Sequence, residues 1–365
     1  MSNTNIPANV AATPNAFNRK APIAATNTTP DTFNVFGPLQ ALITGETWIG
    51  DTGYNLMVVP SPISENGFIV MISQLFETHT FEAVPAGVPN RTLANGTERV
   101  GAVKYSQTVA ENVSKNILHE ETGMWLNQTT GDPMTPPDFG LGPVHGMLDG
   151  QAAISFITGN TASSNYVVRS GTVPHGNTFQ AAGLWSPFPS PQPSGDVMPY
   201  INASNYPLVN GALSFLPTYA DGTSDQALQD AYITELKNAL TLIGLGTDDA
   251  TVQSFINPIV FLNKYANNID SVVSMPVTTD NSGAVINLPF ETAVAGPTKF
   301  VSTFMIETIN DPNGMKLNPT TDQVPQFYQL QYLTSIPLKF PSGFAGGSGR
   351  PVIFPHWNVN TLIAI

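Results

Sequence analysis

The sequence predicts a mainly β protein, either a sandwich or a closed barrel, and three observations carry that prediction. Glycine and proline number 30 and 32 in 365 residues, so the chain is interrupted too often for long helices. Several segments alternate apolar and polar residues with the period of two that a strand requires. Hydrophobic residues make up 41%, enough for a buried core, whereas only 11% are charged, so Asn, Thr, Ser and Gln supply the polar surface.

Residues 1–34, rich in Asn, Thr, Ala and Pro, have little periodicity and read as a flexible N-terminal arm. The remaining chain, 35–365, reads as one β domain whose ordered part begins at Phe36-Gly37-Pro38-Leu39. Phe68 to Phe76 is an apolar run too short and too β-branched for a helix, and Arg99 to Val109 and Tyr166 to Val173 are similar. Thr298 to Ile309 puts Phe300, Phe304 and Ile306 on one face, with Ser302 between them. From Tyr328 to Phe340, the residues Tyr328, Leu330, Tyr332, Ile336, Leu338 and Phe340 share a face and Gln329, Gln331 and Lys339 lie opposite. Pro337 within that run marks an edge, a bulge or an early strand end. Ser224 to Leu242 reads as a helix, with a Ser/Asp cap and Leu228, Tyr232, Leu236 and Leu240 at i+4 spacing. A weaker helical stretch runs from Ala250 to Tyr265, interrupted by Pro258. Residues 187–295, with a Pro-rich start, are expected to be an irregular and partly helical insertion between barrel strands or a small separate domain.

The formal charge of −13 argues against nucleic acid, because phosphate binding needs a positive field. The chain has no Lys/Arg cluster to meet an anionic membrane surface. It also has no apolar run of spanning length and no secretory signal at its start, so a cytoplasmic, soluble protein is expected. The Asn/Thr-rich surface is compatible with self-association into a homo-oligomer.

Without cysteine, thiolate nucleophiles and cysteine-ligated metals are excluded. There is no GxSxG elbow, GxGxxG fingerprint, Walker loop or HExxH pair. The adjacent carboxylates Glu120/Glu121 and Asp248/Asp249 would point to opposite faces of a strand, a poor glycosidase pair. That leaves histidine as the strongest ligand for a transition metal or haem iron, with Met and Tyr also open. His119 lies in Leu118-His-Glu-Glu-Thr-Gly-Met-Trp-Leu126, where a polar cluster runs into a strand; the alternative is a surface turn with Trp125 in the core. His175 sits in the tight bend Val173-Pro-His-Gly-Asn177, and His356 opens a last strand between Phe354 and Trp357. Each could equally be a solvated or packed structural histidine.

Taken together, these segments resemble nitrobindin-like and bacterial haem-binding β-barrels. Gly45-Glu-Thr-Trp-Ile-Gly-Asp-Thr-Gly-Tyr-Asn55 resembles that family's opening G-T-W-x-G-x-G motif, and Val88-Pro-Asn-Arg91 resembles a turn of the bacterial group. His119 to Trp125 is similar to its H-x-E-x-G-x-W segment, Val173 to Gly176 to I-P-H-G, and Phe304 to Thr308 to F-W-I-E-T. Gln329-Leu-Gln-Tyr332, then Pro355-His356 and Val359, resembles the closing Q-x-Q-Y and W-P-H-V-x-V pattern. The matches keep family order from about residue 36 onward. An extra residue between Gly50 and Gly53, Phe354 in place of Trp, and a glycine-rich 342–350 depart from the pattern and bear on the cavity and ligand.

The resemblance implies an all-β, antiparallel up-and-down barrel of calycin or nitrobindin type that holds haem b. It implies His356 as the axial iron ligand, with His175 as second candidate. Thr47 and Trp48 would lie on the distal side, and Tyr54, Trp125, His175 and Phe354 would also contact the cofactor. It further implies reaction with a small molecule such as peroxide or nitric oxide; a peroxidase-like oxidoreductase would use His119 or His175 as distal acid/base. The competing expectations are a barrel that binds a fatty acid or another hydrophobic ligand without catalysis, and a structural, self-associating protein.

Overall fold

A β-strand turns successive side chains to opposite faces, so one strand can serve two cores when both faces are apolar. The computed structural model describes residues 36–84, 88–89, 99–129, 165–173, 178–189, 191, 194–280, 285–287, 296–310, 326–341 and 349–365. The expected arm, His145 and His175 lie outside the described residues.

Ten long strands build the wall: β1 (Thr47–Pro60), β2 (Phe68–Ala83), β3 (Arg99–Glu111), β4 (Ile117–Thr129), β5 (Asn165–Thr172), β6 (Thr178–Leu184), β7 (Ile269–Thr278), β8 (Val301–Asn310), β9 (Gln326–Ser335) and β10 (Trp357–Ala364). Each pairs antiparallel with its neighbour in sequence, and β10 returns to β1 with Ala364 opposite Trp48 and Trp357 opposite Leu56. The seam between β6 and β7 closes through Ala182 opposite Thr278, and Ser186–Phe188 continues beside Val272 to Ser274. Of the two architectures the alternation allowed, the chain adopts the closed one: an antiparallel up-and-down barrel.

One end of the barrel is stoppered. A short 3-10 turn (Gly37–Leu39) leads into α1 (Gln40–Gly45), and Leu39 and Leu42 are buried among lumen residues Trp48, Phe81, Val103 and Trp125. The Trp48 indole N–H donates to the Leu42 carbonyl at 3.3 Å, pinning the stopper to β1.

The first hairpin behaves differently at the other end. In β2 the buried side changes along the strand: Phe68, Val70 and Ile72 on one face, then Leu75, Glu77, His79 and Phe81 on the other. In β1 a bulge between Gly50 and Gly53 shifts the register, so Trp48 faces the lumen while Tyr54, Leu56 and Val58 face outward. The β3 ladder reaches β2 only as far as Leu75, and the β10 ladder reaches β1 only as far as Leu56. The upper part of the hairpin therefore stands above the rim.

Its outward face is covered by the excursion between β6 and β7, which contains α2 (Gln226–Leu242), α3 (Asp249–Ile256) and α4 (Ile259–Asn263). Asp225 caps α2 by accepting from the Leu228 N–H, as the Ser/Asp signal predicts, and Pro258 divides the weaker helical stretch into α3 and α4. The excursion is shorter than the expected 187–295. It ends before Ile269 because 269–278 is barrel strand β7, whose Met275 and Val277 belong to the lumen core. Among the described residues, no helix is long and apolar enough to cross a membrane.

Candidate functional site

Midway along the lumen the apolar packing gives way to a floor of charged and polar side chains. Glu77 of β2 is fully buried and receives four partners. The Tyr332 hydroxyl lies 2.7 and 2.8 Å from its two oxygens, Asn360 Nδ2 donates at 2.7 Å, Gln107 Nε2 at 2.6 Å, and His79 Nε2 lies at 3.0 Å. Burial alone would raise the Glu77 pKa, but His79, Tyr332 and Asn360 outweigh it, so the carboxyl sits below its ordinary value. Beside it, Arg169 of β5 donates to Glu121 at 2.9 Å and to Gln107 at 3.3 Å, and its guanidinium carbon lies 4.8 Å from the Phe304 ring centre. The Tyr105 hydroxyl also donates to Glu121. Burial opposes the Glu121 charge, yet Arg169, His119 and Tyr105 hold that carboxyl at about 2.

Above the floor is the mouth. His119 Nε2 lies 3.3 Å from Glu121 Oε2, on the lumen side of β4, while Glu120 is exposed on the outside. His356, just before β10, has Nε2 3.4 Å from Asn55 Nδ2 of β1, and its buried Nδ1 has no hydrogen-bond partner among the described residues. Burial, with the neighbouring His119 opposing a second charge, pushes the His356 imidazole down to about 4, so it is neutral near pH 7. The tall hairpin supplies an apolar wall beside it: Met57 opposite Met71 and Val59 opposite Ile69, on the face turned away from the excursion. Met57, Val59 and Ile69 are half-buried and Met71 is exposed.

The remaining expected contacts are scattered. Thr47 and Trp48 lie at the stoppered end, since Trp48 pairs with Ala364 and the His356 end of β10 pairs with Leu56. Trp125 packs below the floor, 5.2 Å from Phe304. Tyr54 faces out of the barrel onto Phe261 and Phe255, at 4.8 and 5.3 Å, because the Gly50–Gly53 bulge reverses its side. Phe354 is also outside the lumen, packed 4.6 Å from Phe68 and 4.9 Å from Phe340. Of the expected residues, the mouth brings together His356 and His119. Sequence reasoning missed Asn55 and the floor residues Glu77, His79, Gln107, Arg169 and Asn360. A signal was present: Glu77 and His79 occupy the same alternating positions as Leu75 and Phe81, so two ionisable groups sit on an apolar face.

Among the described residues, no group of three or more His, Asp or Glu is disposed to hold a metal ion. Residues able to ligate a metal-centred cofactor at the mouth are single imidazoles, His356 and His119. No family model matches the chain, and no curated protein matches it. Among solved structures it is similar to the crystal structure of Rv2717c from M. tuberculosis, at 12% identity and a TM-score of 0.34, over 92% of this chain and 99% of that one.

Proposed function

We propose that this barrel binds haem b at its open end, with His356 as the iron ligand and the mouth as the place where a small molecule such as peroxide or nitric oxide is met. His356 carries the reading. It is a neutral imidazole at the lumen entrance, one ring nitrogen held by Asn55 and the other buried without a partner. Burying an unsatisfied ring nitrogen costs about 1–3 kcal/mol, and a ligated metal removes that cost. The wall of Met57, Val59, Ile69 and Met71 offers an apolar planar group a surface beside the imidazole. The resemblance of the Pro355-His356 segment to the closing motif of haem-binding barrels points the same way.

The fit is to the mouth and not to the barrel centre, where Glu77, Arg169 and their partners fill the lumen. Bound haem would supply the redox chemistry of iron. His119, tied through Nε2 to Glu121, would hold or deliver a proton at its other ring nitrogen. A fatty-acid carrier is less well served, since an extended acyl chain entering the lumen would meet the ionised floor.

The test is a visible spectrum of the full chain titrated with haemin, repeated on His356→Ala, His119→Ala and His175→Ala. A saturable Soret band that is lost in His356→Ala and kept in the other two is expected. No Soret shift in the wild type sinks the reading, and loss only in His175→Ala moves the iron to that residue.

A further inference from the structure

We propose that Glu121 is a positioning residue for the mouth: by accepting from one ring nitrogen of His119 it fixes that imidazole in a single tautomer, and leaves Nδ1 as the base that takes a proton from a small acid such as hydrogen peroxide. The peroxide step rests on the haem reading above. His119 and Glu121 lie two residues apart on the lumen face of β4, with Nε2 of the imidazole 3.3 Å from Oε2 of the carboxylate. The other oxygen, Oε1, accepts from Arg169 at 2.9 Å and from the Tyr105 hydroxyl. Gly171 of β5 makes room for it, since a Cβ there would lie 2.6 Å from Oε1. Arg169 is buried, and Glu121 is its one salt-bridge partner among the described residues. A proton on Glu121 would strand that guanidinium without a counter-charge, a strongly unfavourable state. Tyr105 does not take the proton's place: burial pushes its hydroxyl well above the ordinary phenol range, so it stays a donor. Glu121 is therefore an ionised group that only accepts.

An acceptor-only oxygen at Nε2 demands an N–H there. The neutral ring then carries its proton on Nε2 and its lone pair on Nδ1. Glu121 is the one hydrogen-bond partner of His119 among the described residues, and the imidazole is 37% exposed, so Nδ1 is reachable from the mouth. When Nδ1 takes a proton from hydrogen peroxide, the O–H bond breaks and its electron pair stays on oxygen as hydroperoxide anion. The imidazolium so formed keeps its contact with Oε2, which stabilises it and holds the ring in place.

The tautomer is read from the imidazole nitrogen shifts of the haem-free full chain by NMR, in alkaline buffer where the ring is neutral. A proton on Nε2 is expected in the wild type. In Glu121→Gln, Oε1 still accepts from Arg169 and Tyr105, which turns the amide N–H group towards His119. Nε2 must then accept, and the proton moves to Nδ1, so the base is lost while the shape is kept. In the haem-loaded chain, Glu121→Gln and His119→Ala should both slow the reaction with hydrogen peroxide by about 100-fold, with the ferric Soret position unchanged. Should Glu121→Gln fail to fold, the wild-type tautomer and His119→Ala decide. A proton on Nδ1 in the wild type overturns the proposal, as does a peroxide rate that His119→Ala leaves unmoved. Absence of a Soret band in the wild type sinks the haem reading and with it the peroxide step, whereas the tautomer is read without haem.

Discussion

Single residues carry the sharpest energetic consequences, and Glu307 is the clearest. It lies on the outer face of β8, fully buried beneath the excursion; Oε2 accepts from Gln329 at 2.6 Å and Oε1 has no partner among the described residues. Burial, only partly offset by Gln329, pushes its pKa up to about 8. An unfolded chain ionises this carboxyl near its ordinary value of 4.5. As pH rises from there towards 8, the unfolded state loses the proton and the folded state keeps it. Stability falls across that window, by on the order of 5 kcal/mol in total, and is flat above it. Glu307→Gln removes the penalty, so its advantage over wild type in urea denaturation should grow between pH 5 and pH 8. An equal difference at both values would show that Glu307 stays ionised in the fold. Residues like this were not legible in the sequence. Glu307 stands between Met305 and Ile309 on the face of β8 opposite Phe304 and Ile306, and only the distant segment above it makes that second face an interior.

At the scale of elements, short β-branched apolar runs located β2, β3 and β5, the period-two pattern located β8 and β9, and the cap and spacing signals located α2. The pattern was less informative about what each face meets. Gln329 and Gln331 lie opposite the apolar face of β9, as expected, but both are buried and donate to the carbonyls of Tyr265 and Leu262. A strand buried on both sides thus keeps an alternating sequence, because its second interior is lined by amides satisfied by loop carbonyls. Barrel closure is equally non-local. It depends on β6 meeting β7 across the long excursion, and the close approach is permitted by Gly183, where a Cβ would collide with the Pro276 carbonyl. Gly183→Val should push the seam apart and cost more than about 3 kcal/mol, since the clash is with backbone that no rotamer change can relieve. Thermal melts followed by far-UV circular dichroism check this; a loss below 1 kcal/mol would mean that the seam closes through other contacts.

For the whole molecule, the question is whether barrel and excursion are separable bodies. The sequence left that open, as an insertion or a small separate domain. The wall contributes Leu56, Val58, Val70, Met305, Leu333 and Val359 to the same apolar cluster as Tyr232, Leu236, Phe255 and Phe261 of the helices. Detaching the excursion would expose at least those six wall side chains, each worth about 1.5–3 kcal/mol. The sum, on the order of 10 kcal/mol, is comparable to the entire net stability of a typical domain. The excursion therefore cannot unfold and leave the barrel intact. Tryptophans report on the two interiors separately: Trp357 belongs to the shared outer core, and Trp48 and Trp125 to the lumen. In urea, the fluorescence transitions of wild type and of Trp357→Phe should coincide with each other and with the far-UV signal, giving one cooperative unfolding event. An early phase present in the wild type and missing from Trp357→Phe would mean that the helices leave first, with the barrel mouth standing on its own.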